Sequence, residues 1–151
     1  MTDQPTTDVT VTRRFKASAE RVFDAWLDPK TAAAFFFATP TGEMVRCEIE
    51  GRVGGRFTMT DRRDGEDVEH TGEYLEIDRP RRLVFTFAVP KYDSGETRVE
   101  IDIRPLDEGC ELTLTHRGVW QGYAERTEGG WIMILGALAA ELGEVAFADV
   151  G

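Results

Sequence analysis

Three observations predict an α+β domain in which a curved antiparallel sheet wraps a long C-terminal helix. Between about Thr41 and Gly118 the apolar residues alternate and are punctuated by turn signals, the pattern of a strand meander. The one long helical signal follows it, from about Tyr123 to Phe147, where Trp131, Ile134, Leu135, Leu138, Leu142 and Val145 recur at helical spacing and form an apolar stripe. The chain has 151 residues, 41% of them hydrophobic and 30% charged, enough for one domain with a real core. A sheet curled around such a helix leaves room for an apolar hollow between the two.

The individual elements read in order. Residues 1–8 are polar and are expected to form a flexible N-terminal tail, leaving 9–151 as a single domain. Val9, Val11 and Phe15 alternate with Thr10, Thr12 and Arg14, as in a strand with one buried face. Ser18 suits a helix cap, Glu20 suits the positive end, and Val22, Phe23, Trp26 and Leu27 share one face of a short helix. Asp28-Pro29 opens a second helix with an aspartate cap and a proline whose missing N–H costs nothing there. That helix runs from Lys30 to about Phe37 and ends in Phe35-Phe36-Phe37.

From Met44 the period changes to two. Val45, Cys47 and Ile49 share a face, Gly51 and Gly54-Gly55 interrupt it, and Phe57 and Met59 resume it. Paired glycines at that point signal a bulge, a sharp bend or close backbone approach. Turn signals follow at Asp64-Gly65, Asp78-Arg79-Pro80, Asp93-Ser94-Gly95 and Asp107-Glu108-Gly109, delimiting about six strands before the last helix. Within that helix Gly136 and Gly143 cost about 1 kcal/mol each relative to alanine, and they permit close approach of another backbone.

The charge balance excludes several roles. A net charge of −10, from 28 acidic and 18 basic residues, repels phosphate and argues against nucleic acid as a partner. The clusters Arg13-Arg14, Arg62-Arg63 and Arg81-Arg82 read as solvated strand ends and turns. No apolar run is long enough to span a bilayer, so no membrane partner is expected. The first residues lack the basic start and apolar core of a signal peptide, so the expected location is cytoplasmic. Two cysteines without Cys-x-x-Cys spacing and two histidines are too few for a zinc site. Cys47 and Cys110 read as small buried residues, and neither a metal nor a cofactor is expected.

Several strings carry a family resemblance. They are Ala19-Glu20-Arg21-Val22-Phe23-Asp24-Ala25-Trp26 with Asp28-Pro29, then Gly54-Gly55-Arg56-Phe57, then Gly72-Glu73-Tyr74-Leu75-Glu76-Ile77. Pro80-Arg81-Arg82-Leu83-Val84-Phe85-Thr86-Phe87, Leu112-Thr113-Leu114-Thr115-His116-Arg117-Gly118 and Gly130-Trp131 complete the set. In this order they resemble the SRPBCC superfamily, with its START-like (Bet v 1-like) helix-grip fold. More narrowly they resemble stand-alone proteins related to the C-terminal domain of the activator of the heat-shock chaperone ATPase. The resemblance covers about Val9 to Leu142. It departs where family members commonly place paired tryptophans at the end of the second helix and this chain has Phe35-Phe36-Phe37. It implies a fold and a cavity rather than a reaction, because relatives include lipid and hormone carriers, aromatases and cyclases, and a chaperone co-factor domain.

The first candidate site is an apolar cavity between the last helix and the sheet. Trp131, Leu135 and Leu138 are expected on the helix wall, Phe57, Met59, Phe85 and Phe87 on the sheet wall, and Trp26 and Phe36 at the mouth. Each of these residues also fits an ordinary core. Tyr74 and His116 are the candidate polar groups; His116 shares the phase of Leu112 and Leu114 and so faces inward near the start of the helix. His70 has no catalytic companion by spacing, and there is no Gly-x-Ser-x-Gly elbow and no phosphate loop. The favoured function is non-catalytic binding of a small hydrophobic or amphipathic molecule, with no catalytic residue assigned. An aromatase- or cyclase-like enzyme using His116 or Tyr74 is the alternative. A co-regulator of the chaperone ATPase type, with a chaperone as partner, is a third reading, and a homodimer stays open.

Overall fold

The computed structural model describes residues 5–35, 43–63, 65–88 and 97–143. Seven strands form one antiparallel sheet: β1 (Thr6–Phe15), β2 (Glu43–Ile49), β3 (Arg56–Arg63), β4 (Glu66–Asp78), β5 (Arg82–Phe87), β6 (Thr97–Pro105) and β7 (Cys110–Trp120). Their order across the sheet is β1-β7-β6-β5-β4-β3-β2, so β2 through β7 are a meander and β1 joins its far edge beside β7. Two short helices, α1 (Ala19–Leu27) and α2 (Pro29–Phe35), separate β1 from β2. A single 3-10 turn at Gln121–Tyr123 leads into α3 (Ala124–Glu141).

Local chemistry accounts for the helix boundaries. The Ser18 hydroxyl accepts a hydrogen bond from the Arg21 N–H and caps α1, whose buried side chains are Ala19, Val22, Phe23, Ala25 and Trp26. Asp28 does the same for α2, with Oδ1 accepting from the Lys30 N–H and Oδ2 from the Thr31 hydroxyl. The Trp26 ring meets Phe35 edge-on at 5.1 Å, which ties the two helices together. Helix α3 ends at Glu141, earlier than the expected Phe147, and residues 144–151 lie outside the described residues. Gly143, with φ +81°, supplies the left-handed residue that closes the last turn, so it terminates the helix rather than interrupting it.

Strand β1 starts at Thr6, three residues before the expected Val9. Thr6 and Thr7 pair with Trp120 and Val119, and the Gln121 N–H donates to the Pro5 carbonyl. The polar tail residues give no apolar signal, yet backbone pairing needs none. A bulge then places Arg117 and Gly118 opposite Asp8; Gly118 takes φ +82°, and the Asp8 carboxylate accepts from its N–H and from Arg117.

The two sheet faces differ sharply. Val9, Val11, Phe15, Phe57, Met59, Tyr74, Leu83, Phe85, Val99, Ile101, Ile103, Leu112 and Leu114 point inward and join Trp131, Leu135 and Leu138 of α3 in one buried cluster. Gly72 is required by this packing: a Cβ there would collide with the Thr86 carbonyl and the Phe57 ring. That ring lies across β4 and meets Phe85 edge-on at 5.4 Å. The outer face carries ion pairs. Glu100 lies among Arg82, Arg98 and Arg117, and Arg82 also reaches Asp102 at 2.7 Å. Arg14 and Arg104 share Glu111, and Arg62 pairs with Asp67, as expected for solvated basic clusters. Arg13 is the exception. Its strand phase, between Val11 and Phe15 and opposite Leu112, turns it inward, with its guanidinium 5.8 Å from the Phe15 ring centroid.

Candidate functional site

Strand alternation and register bring four rings into a continuous strip on the inner face. His70 on β4 stacks on Phe87 of β5 at 5.9 Å, and Phe87 meets His116 of β7 edge-on at 5.3 Å. Trp131 of α3 closes the strip, 5.8 Å from His116 and 6.3 Å from Phe87. Both histidines are 5% exposed and Trp131 is 3% exposed, while Phe87 is half-buried.

His116 is fully engaged. The Trp131 Nε1–H can only donate, and it donates to His116 Nδ1 at 3.0 Å. The ring hydrogen therefore sits on Nε2, which donates to the Thr97 hydroxyl at 2.7 Å, and that hydroxyl donates to the Phe87 carbonyl at 3.1 Å. Every member of this chain is satisfied in one direction only. Burial lowers the His116 pKa to about 4, so the ring is neutral at physiological pH.

His70 is arranged differently. Its Nδ1 lies 3.3 Å from the Met59 carbonyl and 3.8 Å from Oδ1 of Asp61, and the Asp61 side chain is 2% exposed. Strand pairing sets this up, because Met59 is opposite His70 and Asp61 opposite Val68 on the same face. Sequence reasoning tied no second group to His70. The signal was present in Phe57, Met59 and Asp61, which share one strand phase; their alternation would have pointed the carboxyl inward beside the next strand. Thr97 was also missed, because its role depends on β5 and β7 together.

Of the expected cavity residues, Trp26, Phe57, Met59, Phe85, Trp131, Leu135 and Leu138 are buried and belong to one cluster, with Phe87 packed against it. Phe36 lies outside the described residues. Tyr74 is 2% exposed between the Phe57 and Phe85 rings. Burial, and then the neighbouring Cys47 thiol, push its phenol well above the ordinary range, so it keeps its proton. Cys110 is buried as expected, whereas Cys47 at the edge strand is half-buried, its Sγ 3.5 Å from the Pro29 carbonyl. Among the described residues no group of three or more His, Cys, Asp or Glu side chains could hold a metal, and no helix is long and apolar enough to cross a membrane. A separate depression of about 550 Å³ lies on the outer face, lined by Val45, Arg46, Thr60, Arg62, Asp67 and Glu69. It shares no residue with the inner strip.

A curved seven-stranded antiparallel sheet closed by a long C-terminal helix defines a helix-grip protein of the SRPBCC, Bet v 1-like kind. The family described as activator of Hsp90 ATPase homolog 1-like protein matches residues 16–143, and the chain belongs to that family. Protein CV1439 from Chromobacterium violaceum is similar, with 27% identity over 88% of this chain and 94% of its own and a TM-score of 0.81. An AHSA1-like protein from Aeromonas hydrophila shares the fold at 20% identity, covering 91% of this chain and 92% of its own, with a TM-score of 0.78. A protein of unknown function from Staphylococcus aureus does so at 15% identity, covering 93% and 96% respectively, with a TM-score of 0.82. No curated protein matches the chain in sequence. The family supports a ligand-binding or co-chaperone type of domain.

Proposed function

We propose that the protein binds a small hydrophobic or amphipathic molecule between the inner sheet face and α3, without chemistry. The observation that carries this reading is the placement of polar side chains within an apolar interior. Asp61, His70 and His116 are all at most 5% exposed and stand on the inner face beside Phe87 and Trp131. Burying a polar side chain is costly unless it is well paired, so a core selected for stability alone seldom gathers three of them on one apolar face. Apolar walls with a few convergent polar groups are the usual composition of a small-molecule site. Trp131, Leu135 and Leu138 form the helix wall, and Phe57, Met59, Phe85 and Phe87 the sheet wall, with Trp26 at the mouth.

Titration with N-phenyl-1-naphthylamine, a neutral dye that brightens in dry sites, tests the reading. Saturable enhancement is expected, and it should vanish in Leu138→Trp, which fills the space between helix and sheet, while cooperative unfolding persists. A flat titration of the unaltered protein would refute the cavity, and undiminished enhancement in the variant would place the dye elsewhere. Native mass spectrometry of gently purified protein adds an independent readout, a mass excess that disappears on denaturation.

The outer surface of α3 favours a second reading, contact with a protein partner of the chaperone type. Ile132 and Met133 are 52% and 51% exposed there, and Tyr123 at its start is 47% exposed. Ile132→Glu would abolish a partner contact at this surface and leave dye binding intact. Loss of dye binding in that variant would count against separate surfaces.

A further inference from the structure

We infer that Arg13 anchors the head of the proposed ligand, which makes that ligand an amphipathic organic acid with one carboxylate on an apolar body. This inference rests on the cavity reading above. The alternation Val9, Val11, Arg13, Phe15 turns the Arg13 side chain to the inner face of β1, opposite Leu112 of β7. A cation is out of place at that phase, since Val9, Val11, Phe15 and Leu112 are all at most 8% exposed. The Arg13 guanidinium lies 5.8 Å from the Phe15 ring centroid, and its Nε is buried without a hydrogen-bond partner among the described residues.

Neighbouring arginines are placed differently. Arg14 and Arg104 share Glu111, Arg117 reaches Asp8 and Glu100, and Arg21 donates to the Leu142 carbonyl. Arg13 forms no ion pair among the described residues, so no acid of the protein answers its charge. A buried guanidinium nitrogen without a partner is unfavourable, and a negative charge that arrives with the ligand corrects it. The planar fork receives a carboxylate side-on through two parallel bonds, from Nε–H and one Nη–H. Strand β1 is the edge of the sheet, and α3 packs on it more extensively than on β7. The head therefore belongs at the seam between β1 and α3, with the apolar body running inward along Leu135 and Leu138. One guanidinium balances one negative charge, and the net charge of −10 opposes heads of higher charge.

The test compares decanoate with 1-decanol, which share an apolar chain and differ at the head, as competitors for bound N-phenyl-1-naphthylamine at neutral pH. Decanoate is expected to bind on the order of tenfold more tightly, the effect of one charge-assisted hydrogen bond. Arg13→Gln should erase that advantage, and Arg13→Lys, which keeps the charge but not the fork, should retain part of it. Equal affinities in the unaltered protein, displacement by neither competitor, or an advantage that survives Arg13→Gln would overturn the anchor and leave the cavity standing. Failure of the dye itself to bind would overturn both. Should Arg13→Gln fail to fold by circular dichroism, carbon NMR of bound decanoate labelled at its carboxyl decides. A head paired with Arg13 titrates below the free acid, whereas a head buried without a cation titrates above it, and the second outcome refutes the anchor.

Discussion

The two histidines have the same exposure, 5%, and occupy the same inner face, yet their surroundings give them opposite chemistry. His116 stands between a donor from α3 and an acceptor from β6, which fixes hydrogen on Nε2 and uses both nitrogens. His70 has the Met59 carbonyl 3.3 Å from Nδ1 and the Asp61 carboxyl 3.8 Å away, which places its hydrogen on Nδ1. One ring joins helix to sheet, and the other lies within the sheet beside a buried carboxyl. Burial alone therefore does not fix the tautomer of a histidine. The direction of each hydrogen bond does.

The comparison breaks most severely at Trp131, which touches His116 and Phe87 at once. Trp131→Ala should cost about 3–5 kcal/mol in chemical denaturation, from lost packing and an orphaned His116 acceptor. A loss below about 1 kcal/mol would mean that α3 is not held through this ring.

Acid sharpens the contrast next. The folded pKa of His116 is about 4, below the unfolded value near 6.5, so the unfolded chain binds more protons between those two pH values. The neutral His116 is fully stabilising above pH 6.5, and stability declines as pH falls toward 4 by about 3 kcal/mol in total. His116→Gln should flatten this part of the pH-stability curve. An unchanged slope in the variant would assign it to other groups.

Trp131→Phe keeps most of the ring but removes the donor, and should cost about 1–3 kcal/mol through the unsatisfied His116 Nδ1. Smallest in energy, yet most direct, is the tautomer pair itself. Nitrogen NMR should show His116 protonated on Nε2 and His70 protonated on Nδ1. The same tautomer at both sites would remove the distinction drawn between them, and Asp61→Asn should mix the His70 forms without altering His116.

The split between what was legible and what was not follows the range of each interaction. Apolar alternation, the Ser18 and Asp28 caps and the stripe through Trp131, Leu135 and Leu138 are local, and they sufficed for an α+β meander closed by a helix. The inward phase of His116 was legible for the same reason. Alternation also marked Asp61 and Arg13 as inward-facing, but their polar character masked the signal, since polar residues in a strand normally face water. The polar N-terminal end of β1 was illegible because its order comes from backbone bonds to β7, more than a hundred residues away in the chain.

The sequence by itself determined which residues share a face, because that depends only on the period of each element. Only the tertiary structure decided which faces meet. Asp61 reaches His70 through the β3–β4 register, and Thr97 and Trp131 reach His116 through β6 and α3. Register and helix docking are set by the packing of the whole core, so the tautomer and protonation of each histidine are properties of the assembled fold rather than of any segment.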